Sequence, residues 1–135
     1  MTPRRADWQP RLIEYLARIA RQPLKYGTHD CALFAAGAVE AMTGADPAAR
    51  WRGRYSTVRG GLRHLRAAGY LDHITLCASL FTEAPVARAR AGDLAVLPGP
   101  DGPALGVVQG EFVYVLRAEG LAWVELLAAE RVFQV

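Results

Sequence analysis

The change in residue pattern near Ala91 is the feature that most limits the fold of this chain. Before it, apolar residues recur at the spacing of amphipathic helices, and after it, short apolar runs with a period of two are interrupted by Gly and Pro. Helices followed by neighbouring strands are typical of an α+β fold with helices packed on one side of a small antiparallel sheet. We therefore predict one domain over residues 1–135, with a helical half over about 1–82 and a strand half over about 91–135.

Three helices are predicted in the first half, over about 8–21, 31–42 and 58–69. The third is expected to begin after an N-cap at Ser56, and the segment 70–81 fits either a short helix or an irregular cover. The apolar stripe expected to face the core from the first helix is Leu12, Ile13, Leu16, Ile19 and Ala20.

Five strands are predicted in the second half, and two tight hairpins connect them. Gln109-Gly110 separates the second strand from the third, and Glu119-Gly120 separates the third from the fourth. The predicted strands are 93–97, 104–109, 111–116, 121–127 and 131–135.

The charge is distributed unevenly along the chain. Residues 1–70 carry 12 basic and 5 acidic side chains, a net charge of +7, and residues 71–135 carry 4 and 8, a net charge of −4. The arginines of the basic half are not interleaved with aromatic residues as in single-strand binders, so we expect no nucleic-acid partner. Arginine is favoured where carboxylates are paired at protein interfaces. The candidate docking residues are Arg50, Arg52, Arg54 and Tyr55.

Composition argues against several other classes of protein. No stretch approaches the roughly 18 apolar residues of a membrane span, and charges and Pro stand near the start where a signal peptide would have its apolar segment. With two cysteines, no disulfide framework is expected. The pairs His29/Cys31 and His73/Cys77 lack the Cys-x-x-Cys spacing of zinc sites, and no phosphate-binding loop is present. We therefore predict neither a metal nor a cofactor.

Cys31 is the residue with the clearest potential for chemistry. A thiol in the first turn of a helix lies near the positive end of the helix dipole and near free amide donors, which stabilise a thiolate. The alternative is that Cys31 is a small residue of the core. A nucleophile also needs a base, and His29 and His73 are the candidates, whereas His64 is expected to be exposed on the third helix.

Three segments carry a resemblance to a known family. The Asp-Cys-x-x-Phe pattern within 27–34, the Trp-x-Gly-x-Tyr pattern within 51–55 and the Gly-Asp-Leu pattern within 92–97 occur in this order. The first and third resemble segments of the NlpC-type papain-like cysteine peptidases. With the second segment, the chain resembles over nearly its whole length a small branch of these proteins found in tailed phages and prophages. The resemblance implies a papain-like core with Cys31 at the nucleophile position.

The resemblance also implies that the usual base is missing. In active members, the strand after Gly-Asp-Leu begins with the catalytic histidine, and this position is Ala104 here. A methyl group cannot accept a proton from Cys31, and general-base catalysis contributes roughly 10²–10⁴ in rate.

Our first hypothesis is therefore a catalytically degenerate protein of the phage tail tip, assembled in the bacterial host cytoplasm, that docks onto other tail-tip or hub proteins. The alternative is an active cysteine peptidase or amidase that acts on peptidoglycan during DNA entry, with Cys31 as nucleophile and His73 or His29 as base.

Overall fold

The computed structural model describes residues 2–135 and has a mixed α+β fold, as predicted. All strand pairs of its six-stranded sheet are antiparallel, and the strand order is β1-β6-β2-β3-β4-β5. The helices are α1 (Trp8–Ile19), α2 (Cys31–Thr43), α3 (Val58–Ala67) and α4 (His73–Leu80). The strands are β1 (Thr82–Ala84), β2 (Leu94–Leu97), β3 (Ala104–Gln109), β4 (Phe112–Arg117), β5 (Gly120–Glu125) and β6 (Arg131–Gln134).

The alternating side chains of the sheet supply two apolar layers. Leu94 and Val96 of β2 face the core that α1, α2 and α4 share, whereas Ala95 and Leu97 face the opposite side. That second side is covered by short 3₁₀ turns at 86–88 and 126–128. The sheet is therefore buried on both faces, with its long helices on one of them.

The helix α1 faces the core with a stripe that differs from the predicted one at one position. Ile13 is 61% exposed, and Tyr15 is buried instead. The Tyr15 hydroxyl donates a hydrogen bond of 2.8 Å to the Phe34 carbonyl of α2, which satisfies its polar atom inside the core. Gly37 allows this approach, since a Cβ there would lie 2.2 Å from the Tyr15 hydroxyl oxygen.

The structure decides the element boundaries that the sequence left open. The segment 70–81 contains the helix α4, so the helical half has four helices rather than three. The N-cap of α3 is Thr57, whose side chain accepts from the Gly60 N–H, and not Ser56 as predicted. The short strand β1 was missed because only its pairing with β6 defines it.

Among residues 2–135, no helix combines the length and apolar character needed to cross a bilayer.

The Gly-Asp-Leu segment anchors both ends of the described chain to the sheet. The Asp93 side chain is fully buried and pairs with the Arg4 guanidinium at 3.0 Å. Its carboxylate also accepts from the backbone N–H groups of Val135 and Arg90. Gly92 has a positive φ of 90°, and a Cβ at this position would lie 2.5 Å from the Met42 sulfur. In this protein the motif therefore has a structural role.

Candidate active site

Cys31 is the first residue of α2, and the preceding residue caps that helix. The Asp30 side chain accepts a hydrogen bond of 2.9 Å from the Leu33 N–H, which satisfies one of the free amides of the first turn. The backbone N–H groups of Ala32 and of Cys31 itself favour the thiolate form of the Cys31 side chain. The cysteine thus lies at the positive end of the helix, as predicted from the sequence.

A tight turn holds the capping carboxylate in place. The Gly27 N–H and the Tyr55 hydroxyl both donate hydrogen bonds to the Asp30 carboxylate. Gly27 has a φ of +85°, and a Cβ there would lie 1.7 Å from the Tyr55 carbonyl oxygen, so only glycine fits. Because three donors hold it, Asp30 acts as a structural cap rather than as an acid or a base.

His73 brings an imidazole to the cysteine from a different helix. It is the first residue of α4, whose N-cap Asp72 accepts from the Thr75 N–H at 2.8 Å. Its Nε2 lies 3.9 Å from the Cys31 sulfur and 2.9 Å from the Pro103 carbonyl oxygen. Of the two candidate bases, the structure therefore brings His73 to Cys31.

Burial keeps both partners of this pair neutral. Removal from water raises the pKa of the Cys31 thiol to about 11, although the N–H groups of Leu105, Ala32 and Cys31 favour the thiolate. The negative charge of Asp30 acts in the same direction as burial. Burial also lowers the pKa of His73 below its ordinary value, against the opposing effect of Asp72. At neutral pH the resting pair is therefore a thiol next to a neutral imidazole.

The contact with Pro103 determines which ring nitrogen of His73 carries the proton. A carbonyl oxygen can only accept, so Nε2 must donate to it and Nδ1 must be unprotonated in the neutral ring. A protonated Nε2 cannot accept a proton from the thiol. The ring must therefore leave the Pro103 carbonyl, or exchange its proton, before it can act as a base for Cys31.

Ala104 occupies the position where the family resemblance places the histidine. It begins β3, directly between Pro103, which contacts His73, and Leu105, whose N–H favours the Cys31 thiolate. Its methyl group supplies no base, as predicted from the sequence. The imidazole of His73 thus reaches the cysteine beside the start of β3, next to Ala104.

A cavity of about 490 Å³ lies beside the Cys31–His73 pair. It is bounded by α2, α3, α4 and the start of β3, and most of its lining is apolar. This volume is within the usual range of about 300–1,000 Å³ for small-molecule sites. The arrangement thus places a nucleophile, an imidazole and a binding cavity together.

His29 lies elsewhere in the structure. It is buried with 5% exposure, packs edge-on against Phe34, and lines a second, polar cleft next to Arg52. Burial lowers its pKa, and its Nε2 has no hydrogen-bond partner within residues 2–135. Cys31 is not among the residues of this cleft, so the geometry does not support His29 as its base. His64 is exposed on α3, as expected.

The four candidate docking residues separate into two groups. Arg52 pairs with Asp46 at 2.6 Å and donates to the Leu33 carbonyl, so it stabilises the loop after α2. Tyr55 supports the capping carboxylate of α2, as described above. Arg50 and Arg54 are exposed, and only these two remain accessible as the sequence analysis expected.

Among residues 2–135, no group of three or more His, Cys, Asp or Glu side chains is arranged to hold a metal ion. The chain thus has an α+β fold with a cysteine at the start of α2 beside a histidine at the start of α4. Residues 3–135 match the model of a family described as a domain of unknown function, DUF6950, so the chain belongs to that family. A comparison with curated proteins found no match.

Proposed function

We propose that this protein is a cysteine-dependent acyl-transfer hydrolase with a papain-like core, in which Cys31 is the nucleophile and His73 is its base. The observation that carries the proposal is the distance of 3.9 Å between the Cys31 sulfur and His73 Nε2 beside a cavity of ligand size. A nucleophile and a base within reach of each other are the minimum requirement for this chemistry. The order of a central helix followed by an antiparallel sheet supports the papain-like part of the proposal.

The reaction begins with a neutral pair. Sγ attacks the substrate carbonyl carbon while its proton passes to the unprotonated Nδ1 of His73, whose ring has left the Pro103 carbonyl and turned toward the thiol on substrate binding. His73 then gives the proton to the leaving group, and a thioester joins Sγ to the acyl group. Water hydrolyses this thioester and restores the thiol. The negative oxygen of each tetrahedral intermediate needs hydrogen-bond donors, and the backbone amides in the first turn of α2 are our candidates.

Replacement of the cysteine is the direct test. The hydrolysis of p-nitrophenyl acetate should fall to background in Cys31→Ala and stay near the wild-type rate in His64→Ala, which replaces an exposed residue outside the cavity. Equal rates in the wild type and Cys31→Ala, with both proteins folded by circular dichroism, would rule out the proposed nucleophile.

We also propose a second function, docking to an acidic protein surface, for which the assembly interface of a phage tail tip is our candidate setting. Arg59, Arg63 and Arg66 recur on one side of α3, next to Arg50 and Arg54 in sequence. All five are exposed, and none of them forms a salt bridge within residues 2–135. A cationic face without ion pairs among residues 2–135 favours an anionic partner.

Charge reversal tests the docking proposal. Binding of the chain to the purified tail hub should weaken with rising salt, and the double variant Arg59→Glu/Arg63→Glu should abolish it. Arg88→Glu/Arg117→Glu, which reverses two exposed arginines outside α3, is the control and should bind normally. No association at low salt, or equal loss in both double variants, would contradict docking through α3.

A further inference from the structure

Most of the wall of the cavity beside Cys31 is hydrocarbon. Each of the three helices around it contributes aliphatic side chains to this wall. Their contributions are Ala35 and Val39 from α2, Leu62 and Leu65 from α3, and Leu76 and Leu80 from α4. Since protein interiors are normally close-packed, a space of about 490 Å³ with such walls is suited to an apolar occupant.

The few charged residues at the cavity argue against an anionic ligand. They are three carboxylates, Asp30, Asp72 and Asp101, and a single arginine, Arg66. The Arg66 Nε donates to a backbone carbonyl at 3.4 Å, and this one arginine faces three carboxylates in the lining. A peptidoglycan stem peptide carries several carboxylates, and these would meet a net negative charge here. An uncharged ligand avoids this penalty.

We infer that the site takes a neutral acyl ester or thioester whose hydrocarbon chain fills this cavity and whose carbonyl lies against Cys31. The inference rests on the proposed hydrolase function and assigns it a substrate class. In the reaction, the bond between the acyl carbon and the ester oxygen, or thioester sulfur, breaks as the bond to Sγ forms. The thiol proton leaves with the alcohol or thiol, and water then releases the carboxylic acid and restores Cys31.

Chain length and cavity volume provide the first test. For p-nitrophenyl esters kept below their aggregation concentration, kcat/KM should rise at least tenfold from acetate to decanoate after subtraction of the Cys31→Ala background. Leu62→Trp, which narrows the cavity without replacing a fully buried residue, should remove most of this gain. Leu127→Trp is the matched control, since Leu127 is 88% exposed and lies away from the cavity. Rates that stay flat or fall with chain length would overturn the inference.

A binding measurement separates the ligand class from the catalysis. Cys31→Ala should bind the neutral fluorescent probe N-phenyl-1-naphthylamine, decanamide should displace it, and Leu62→Trp should weaken its binding. If this holds while no ester is hydrolysed by the wild type, the ligand class stands and the hydrolase function fails. If the probe does not bind, or if an apolar peptide displaces it and decanamide does not, the acyl-chain inference is wrong.

Discussion

Replacing His73 with alanine is the most informative single perturbation of the proposed dyad. Because the pKa of Cys31 is about 11, only about 10⁻⁴ of the molecules carry a thiolate at pH 7. Without a base, only this small fraction of molecules with a thiolate can attack the substrate. Removal of His73 should therefore lower the acylation rate by roughly 10²–10⁴-fold, which is what general-base catalysis usually contributes.

The assay is the pre-steady-state release of p-nitrophenolate from p-nitrophenyl acetate, which follows acylation of Cys31 directly. His64→Ala is the control, because His64 is an exposed histidine on α3 that does not line the cavity. We expect a fall of 10² or more in His73→Ala at pH 7 and no change in His64→Ala. In His73→Ala, the residual rate should rise with pH toward about 11 as the thiolate forms. Equal acylation rates in the two variants would refute the assignment of His73.

Four further predictions concern the Cys31 thiol, the buried ion pair of Asp93 and the turn at Gly27. Iodoacetamide labelling of Cys31 in Cys77→Ala should rise with pH toward an apparent pKa of about 11, and an apparent pKa below the ordinary value of about 8.5 would mean a preformed ion pair instead. The pKa of Cys31 is raised from the ordinary 9.0 to about 11 in the folded protein, so between these pH values the folded state binds more protons than the unfolded state. The stability that the neutral thiol contributes should therefore be lost between about pH 9 and 11, and urea midpoints measured across this range test it. Asp93→Asn should lower the free energy of unfolding by about 3 kcal/mol, because it leaves a buried arginine without its carboxylate, and a urea midpoint within error of the wild type would contradict this role. Gly27→Ala should lower the urea midpoint much more than Gly110→Ala does. Gly110 also has a positive φ, of 64°, but no atom lies within 4 Å of a Cβ added there. Equal effects of the two substitutions would show that backbone strain alone matters.

The nucleophile end of the site could be predicted because its determinants are local. A capping carboxylate, a cysteine and an apolar helix follow one another within a few residues, and each of these features is visible in the sequence. The start of β3 at Ala104 was predicted for the same reason, since the alternating pattern that defines it is continuous.

The base could not be assigned from the sequence. His73 is 42 residues from Cys31, and their contact depends on how α4 packs against α2. The segment 70–81, which contains α4, also has no pattern that distinguishes a helix from an irregular cover. Candidate bases could be named, but only tertiary packing selects between them.

The other wrong predictions concern polar side chains that form hydrogen bonds to other residues of the fold. Arg52 and Tyr55 were assigned to a docking surface, yet Asp46 and Asp30 hold their polar atoms. The same limit applies to Asp93, because nothing in the sequence indicates that Arg4 and Val135 meet at one carboxylate. Such pairs join residues far apart in the chain, so they become visible only in the folded structure.

The most direct test of the central claim is the intact mass of the protein after brief incubation with p-nitrophenyl decanoate and an acid quench. The proposal predicts one added decanoyl group, located on Cys31 by peptide mapping and removed by hydroxylamine as expected for a thioester. The adduct should be absent in Cys31→Ala and strongly reduced in His73→Ala. An unmodified wild-type protein, or an acyl group on another residue with Cys31 free, would contradict the proposed Cys31–His73 chemistry.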